Sequence, residues 1–118
     1  MDTLDFSKPT TMYDVIILVE NKKLYANRAI LSIWSPFFET MFKSNFKEKD
    51  SMEISLPDKS YDDIYELLQM IYPPNKPITA LNCERVLELA DEYQMLELTK
   101  RCRTFLMQQR GNLNFVII

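Results

Sequence analysis

The sequence predicts an α+β domain, with a small sheet at one end of a helical cluster. Three observations lead to it. Two short β-type runs open the chain, a third interrupts its helices, and every other patterned segment repeats its apolar residues at the helical period. The chain has 118 residues, 47% of them apolar and 26% charged, which suits one compact core and argues against disorder. A chain of this length buries roughly two thirds of its unfolded surface.

Residues 1–12 are polar, with Leu4 and Phe6 as isolated hydrophobes, and read as an arm. Tyr13 to Glu20 is β-branched and almost continuously apolar, the pattern of a strand buried on both faces. Asn21-Lys22-Lys23 reads as a turn, with Leu24-Tyr25 beginning the return strand of a hairpin. Asn27 is placed to cap a helix running to about Ile33. Ser35-Pro36 starts the next helix, a serine cap followed by proline in the first turn, and Phe38, Met41 and Phe42 share one of its faces. Met52 to Leu56 alternates apolar and polar, as a half-exposed strand does.

Ser60 and Asp63 form a capping pair. The acids Asp62, Asp63 and Glu66 suit the positive end of the helix that follows. Ile64, Leu67, Leu68 and Ile71 make that helix amphipathic, and Pro73-Pro74 ends it. Asn82 reads as the cap of a helix with Val86, Leu87, Ala90 and Tyr93 inward. The last helix, from about Leu96 to Gln109, presents Leu98, Cys102, Phe105 and Leu106, and Gly111 is placed to terminate it. The apolar tail from Asn112 to Ile118 is compatible with a truncated helix, a strand that pairs with a neighbour, or a natural end. The predicted organisation is an arm over 1–12, the domain proper over 13–109 and a tail over 110–118.

Composition excludes several function classes. The net charge is −3, and the 14 basic residues are interleaved with the 17 acidic ones, as in Lys47-Glu48-Lys49-Asp50. A nucleic-acid surface wants clustered Lys and Arg, so none is expected. No apolar run reaches the ~20 residues of a membrane span. The start, Met1-Asp2-Thr3-Leu4-Asp5, lacks the features of a signal peptide, and the expected location is the cytoplasm, the nucleus or both. With no histidine, the usual general base and the commonest metal ligand are missing. Cys83 and Cys102 each sit within a helical pattern, cannot complete a zinc site by themselves and suit a reducing compartment, and Cys102 reads as a small buried hydrophobe. Gly111 is the only glycine, so no Gly-rich phosphate loop can form. No catalytic, metal or cofactor site is expected.

Several strings resemble the BTB/POZ family. They are Tyr13-Asp14-Val15, Ala26-Asn27-Arg28-Ala29-Ile30-Leu31, Ser35-Pro36-Phe37-Phe38-x-x-Met41-Phe42, Ile54-x-Leu56-x-Asp58, Leu67-Leu68-x-x-Ile71-Tyr72 and the run from Val86 to Met95. They stand in the family's order and cover about residues 13–107. Asn27-Arg28 replaces the frequent His-Lys, Lys22-Lys23 stands where a turn glycine is common, and Pro73-Pro74 replaces Thr-Gly. The set most resembles the BTB domains of MATH–BTB substrate adaptors.

The resemblance implies two surfaces. BTB domains form two-fold dimers through the first helix and the arm, which here means Ile30, Ile33 and Trp34, with Leu4 and Phe6 anchoring the arm. Read from the residues alone, the three helix residues are ordinary core, and a disordered arm fits Leu4 and Phe6 about as well. Members that bind cullin-3 carry a hydrophobic residue, any residue and a glutamate after the second helix. Phe46-Lys47-Glu48 has that form at that place. An aromatic on a charged loop gains about 1.5–3 kcal/mol if a partner's pocket buries it. The alternative is that Phe46 folds back onto its own core. Asp14 and Arg28 resemble the family's buried charged pair near the dimer interface, with a solvated pair as the alternative.

The implied function is a non-catalytic adaptor domain of a ubiquitin ligase. It would homodimerise and dock cullin-3, while a region outside this chain holds the substrate protein. The alternative is an oligomerisation module of a transcriptional regulator, or a channel-type tetramerisation domain, without cullin binding.

Overall fold

The computed structural model describes residues 4–45 and 53–117, and side chains over 4–44 and 53–109. Among these residues the chain forms strands β1 (Val15–Val19), β2 (Lys22–Ala26) and β3 (Glu53–Ser55). Its helices are α1 (Arg28–Trp34), α2 (Pro36–Asn45), α3 (Tyr61–Ile71), α4 (Cys83–Glu92) and α5 (Leu96–Ile117). The sheet order is β2-β1-β3, with β2 antiparallel and β3 parallel to β1. The predicted α+β class and element order hold.

The hairpin turn sits one residue earlier than its sequence suggested. Val19 pairs with Lys22, so only Glu20 and Asn21 lie in the loop, both with left-handed backbone (φ 52° and 61°). A two-residue loop of that hand matches the right-handed twist of the strands. Glu20 is an unusual residue there, and its side chain has a second task. Its carboxylate accepts the Tyr61 N–H at 2.6 Å and so caps the start of α3 from across the fold.

β1 buries one face rather than two. Val15, Ile17 and Val19 are at most 1% exposed, while Ile16 and Leu18 are half-buried. Helices cover only the inner face, which gives the alternation usual for an antiparallel hairpin. β3 is shorter than expected, although Leu56 N–H still donates to Leu18 O at 2.9 Å. In α3, Ile64, Leu67, Leu68 and Ile71 are all at most 2% exposed, and Ser60 Oγ accepts the Asp63 N–H as the capping pair requires.

Two helix boundaries depart from expectation. Asn82 precedes α4 but makes no side-chain cap, because its amide is engaged elsewhere. Its Oδ1 accepts the Thr79 N–H at 2.8 Å, and its Nδ2 donates to Glu66 at 3.3 Å. Gly111 does not terminate α5, whose backbone stays helical to Ile117. A glycine ends a helix when it turns left-handed, and with no proline after it the chain here simply continues. The α4–α5 turn was not anticipated. Gln94 takes the left-handed position (φ 58°), its N–H donates to Asp91 O, and Met95 N–H donates to Ala90 O. This is the hydrogen-bond pattern of a Schellman closure, made without glycine.

Glu66 ties α3 to α4 and to the loop between them. Its side chain is 12% exposed and meets Lys76 Nζ at 2.9 Å and Arg85 at 2.6 Å. Arg85 also pairs with Asp63 at 2.9 Å. Burial pushes the Glu66 carboxyl up, but hydrogen bonds from Lys76, Arg85 and Asn82 outweigh it and hold the pKa below its ordinary 4.5. A depressed carboxylate contributes stability above about pH 4.5 and loses it as pH falls through the folded value. Glu66→Gln is therefore expected to cost about 1–2 kcal/mol at neutral pH. The gap from wild type should narrow in thermal melts taken between about pH 5 and 3. A gap that stays constant over that range would show that the carboxylate's charge adds nothing.

Candidate functional site

The arm packs onto β2, α1 and α3 through specific bonds. Tyr25 N–H donates to Phe6 O at 2.7 Å, and the Tyr65 hydroxyl donates to Asp5 at 3.2 Å. Phe6 is 3% exposed, its ring edge-on to Tyr65 (5.5 Å) and Tyr72 (4.8 Å). It anchors the arm to its own chain, and its ring has almost no surface left for a second molecule. Tyr72 is the last member of this cluster. Burial pushes its hydroxyl up to about 12, so it stays protonated, and its oxygen accepts the Asn27 N–H at 2.7 Å.

Asn27 joins the arm to α1. Its Oδ1 accepts the Ile30 N–H at 3.1 Å, the predicted cap, while its Nδ2 donates to Met12 O at 2.9 Å. Asp14 and Arg28 meet nearby. Asp14 accepts the Arg28 backbone N–H at 2.7 Å, and the side chains lie 3.4 Å apart, 40% and 34% exposed. In the single chain the pair is half-buried, between the two alternatives.

Between the arm, β2 and α1 lies an open groove of about 550 Å³. Leu4, Met12, Tyr13, Tyr25, Ile30 and Pro73 line it, and it reaches down to Phe6 and Tyr72. Its surface is largely apolar. Met12 is 72% exposed and Leu4 41%. Three residues from Ile30, Ile33 stands 79% exposed on α1. Trp34 is half-buried, with the Arg101 guanidinium from α5 over its ring at 5.3 Å. The structure thus brings Leu4 and Ile30 together in one groove, leaves Ile33 open beside it, and turns part of Trp34 toward α5. Met12, Tyr13 and Pro73 were not among the interface residues expected from sequence. The adjacent pair Met12-Tyr13 just before β1 was the available signal.

α2 carries the second region. Phe38 (2% exposed) and Phe42 (8%) stack inward, while Phe37 and Met41 are half-buried. The helix is described as far as Asn45, and Phe46, Lys47 and Glu48, next in the sequence, lie outside the described residues. Among the described residues, no helix is long and apolar enough to cross a membrane, and no group of three His, Cys, Asp or Glu could hold a metal ion. Cys83 and Cys102 are free and buried, and burial raises the Cys102 thiol to about 11.

Residues 4–110 match the family model of the BTB/POZ domain. The chain belongs to that family. This BTB domain is 39% identical over 98 residues to BTB and MATH domain-containing protein 38 of Caenorhabditis elegans, covering 83% of this chain and 25% of that protein. It is 34% identical over 102 residues to human Kelch-like protein 7, covering 86% of this chain and 17% of that protein. The domain therefore spans a quarter or less of these relatives' length. Its fold is that of two solved BTB domains, each 20% identical. The human gigaxonin domain has a TM-score of 0.68, with 80% of this chain and 77% of that one covered. The zebrafish PATZ1 domain has a TM-score of 0.67, with 81% and 76% covered. A BTB domain is a protein–protein interaction module, and the MATH–BTB resemblance read from the sequence agrees with these relatives.

Proposed function

We propose that this BTB domain pairs with a second copy of itself and docks cullin-3, as the non-catalytic adaptor part of a ubiquitin ligase. A region outside this chain would hold the substrate. The observation that carries the reading is the apolar groove of the arm and α1, together with exposed Ile33. A contiguous apolar surface on a small domain usually marks an interaction site. Ile30, at the centre of the resemblance-based dimer map, lines that groove.

The docking half of the reading rests on sequence order. Phe46-Lys47-Glu48 follows α2 directly, with the hydrophobic, any, glutamate form that the family resemblance associates with cullin-3 binding. Phe46 would be the anchor buried in the partner, with Glu48 orienting the loop or pairing with a partner cation. A relative named for a MATH domain beside its BTB domain, and one named as Kelch-like, support an adaptor built from separate docking and substrate modules.

Titration of the domain with the N-terminal region of cullin-3 tests this. Phe46→Ala should weaken binding by about 2 kcal/mol or more, roughly thirtyfold, while the folded domain and its self-association persist. Equal affinity for wild type and Phe46→Ala would remove the docking assignment.

A further inference from the structure

The groove has an arm wall, an α1 wall and a floor, and one residue is bonded to a member of each. We propose that Asn27 is the positioning residue of the self-association groove, holding the arm wall at a fixed distance from α1. This rests on the self-association half of the reading above.

On the arm wall, the Asn27 Nδ2 donates to Met12 O at 2.9 Å. On the α1 wall, its Oδ1 accepts the Ile30 N–H at 3.1 Å. At the floor, its backbone N–H donates to the Tyr72 hydroxyl oxygen at 2.7 Å. Met12, Ile30 and Tyr72 all line the groove. Asparagine suits the position because a carboxamide carries a donor and an acceptor on one short stem. Serine or aspartate caps a helix as well, but an ionised aspartate has no donor for Met12 and a serine hydroxyl is shorter.

The arm wall depends on that single bond to Met12. On one side Phe6 O is held by the Tyr25 N–H at 2.7 Å, and on the other the Asp14 N–H is held by Ala26 O at 3.0 Å. Among the described residues, Asn27 makes the only hydrogen bond from residues 7–13 to the rest of the fold. The other bonds near Met12 stay within the arm. Met12 N–H to Thr10 Oγ1 and Tyr13 N–H to Thr10 O, both at 3.4 Å, close its turn without placing it. The Tyr13 ring is steadied edge-on against Tyr25 at 5.1 Å, whereas Met12 stands 72% exposed. An interface segment that is not held beforehand has to be ordered on association, and that cost is subtracted from affinity. A two-fold contact uses the groove twice, so a loosened wall counts twice.

The experiment uses the whole chain, with dissociation constants for self-association from sedimentation. The temperature is one at which circular dichroism shows each variant fully folded, so a mere loss of global stability does not change affinity. Asn27→Ser keeps a good cap for α1 and adds no charge, but releases Met12. It should associate about tenfold more weakly than wild type. Tyr72→Phe keeps the buried ring beside Phe6 and removes only the oxygen that holds the Asn27 N–H. It should weaken association several-fold. Ser60→Ala removes the cap of α3 at the opposite end of that helix from Tyr72. This control for a purely structural loss should lower the melting temperature and leave association within about twofold of wild type. The proposal is overturned if Asn27→Ser associates like wild type while Ile30→Lys does not. It is also overturned if Ser60→Ala weakens association as much as Asn27→Ser. If Ile30→Lys associates normally, or the wild-type chain does not associate, the self-association reading has failed first and the positioning role falls with it. Should Asn27→Ser not fold, Tyr72→Phe decides, and an unchanged affinity there overturns the proposal.

Discussion

Phe38→Ala is expected to remove about 3–5 kcal/mol of folding free energy, a large share of the roughly 5–15 kcal/mol that holds a domain of this size. Phe38 is 2% exposed and touches three other rings, stacking on Tyr93 (5.0 Å) and Phe42 (6.2 Å) and meeting Phe37 edge-on. Truncation removes the burial of the ring and leaves a void that α1, α2 and the α4–α5 turn cannot all close. Urea unfolding should show the midpoint falling with little change in slope. Phe37→Ala at the neighbouring half-buried position should cost well under half as much. Equal losses at the two positions would mean that the ring cluster is not packed as described.

Ile30→Lys is expected to convert a self-associating domain into a monomer. A two-fold interface counts every substitution twice, and each Ile contributes about 1.5–3 kcal/mol when buried. Ile30 is already half-buried in its own chain, so the lower figure applies. Two copies give about 3 kcal/mol, a hundredfold or more in the dissociation constant. Two ammonium groups brought toward each other in an apolar groove oppose pairing further. Sedimentation over a micromolar concentration series reads this directly. Met107→Lys, at a 74% exposed site on α5, is the control that should leave assembly intact. Association that survives Ile30→Lys would remove the groove from the interface. A wild-type tetramer or pentamer would favour the channel-type alternative.

Much of the fold was legible because it is local. The inward residues of α3 follow from spacing, and the caps at Asn27, Ser35 and Ser60 follow from residue type. What sequence missed depends on distant partners. Phe6 looked like a lone hydrophobe in a polar arm, and only Tyr65 and Tyr72, some sixty residues away, make it core. Asn82 looked like a cap, but Thr79 and Glu66 compete for its amide and win. The turn at Gln94 carries no glycine to announce it, and among the described residues all five left-handed positions are held by other residue types. The candidate surface divides the same way. Ile30 and Leu4 were legible through the family pattern, whereas Met12, Tyr13 and Pro73 join them only when the arm folds back.

Asn27 gives the arm side of the molecule a property of its own. One side chain both starts the first helix and holds the strap that crosses beside it, and its backbone rests on a buried phenol. Strap and helix therefore share one fastening at Asn27, while Asp5 and Phe6 hold the strap's far end independently. A visitor that lifted the strap at Met12 would pull on the residue that starts the helix beneath it, so disturbance at the one is felt at the other.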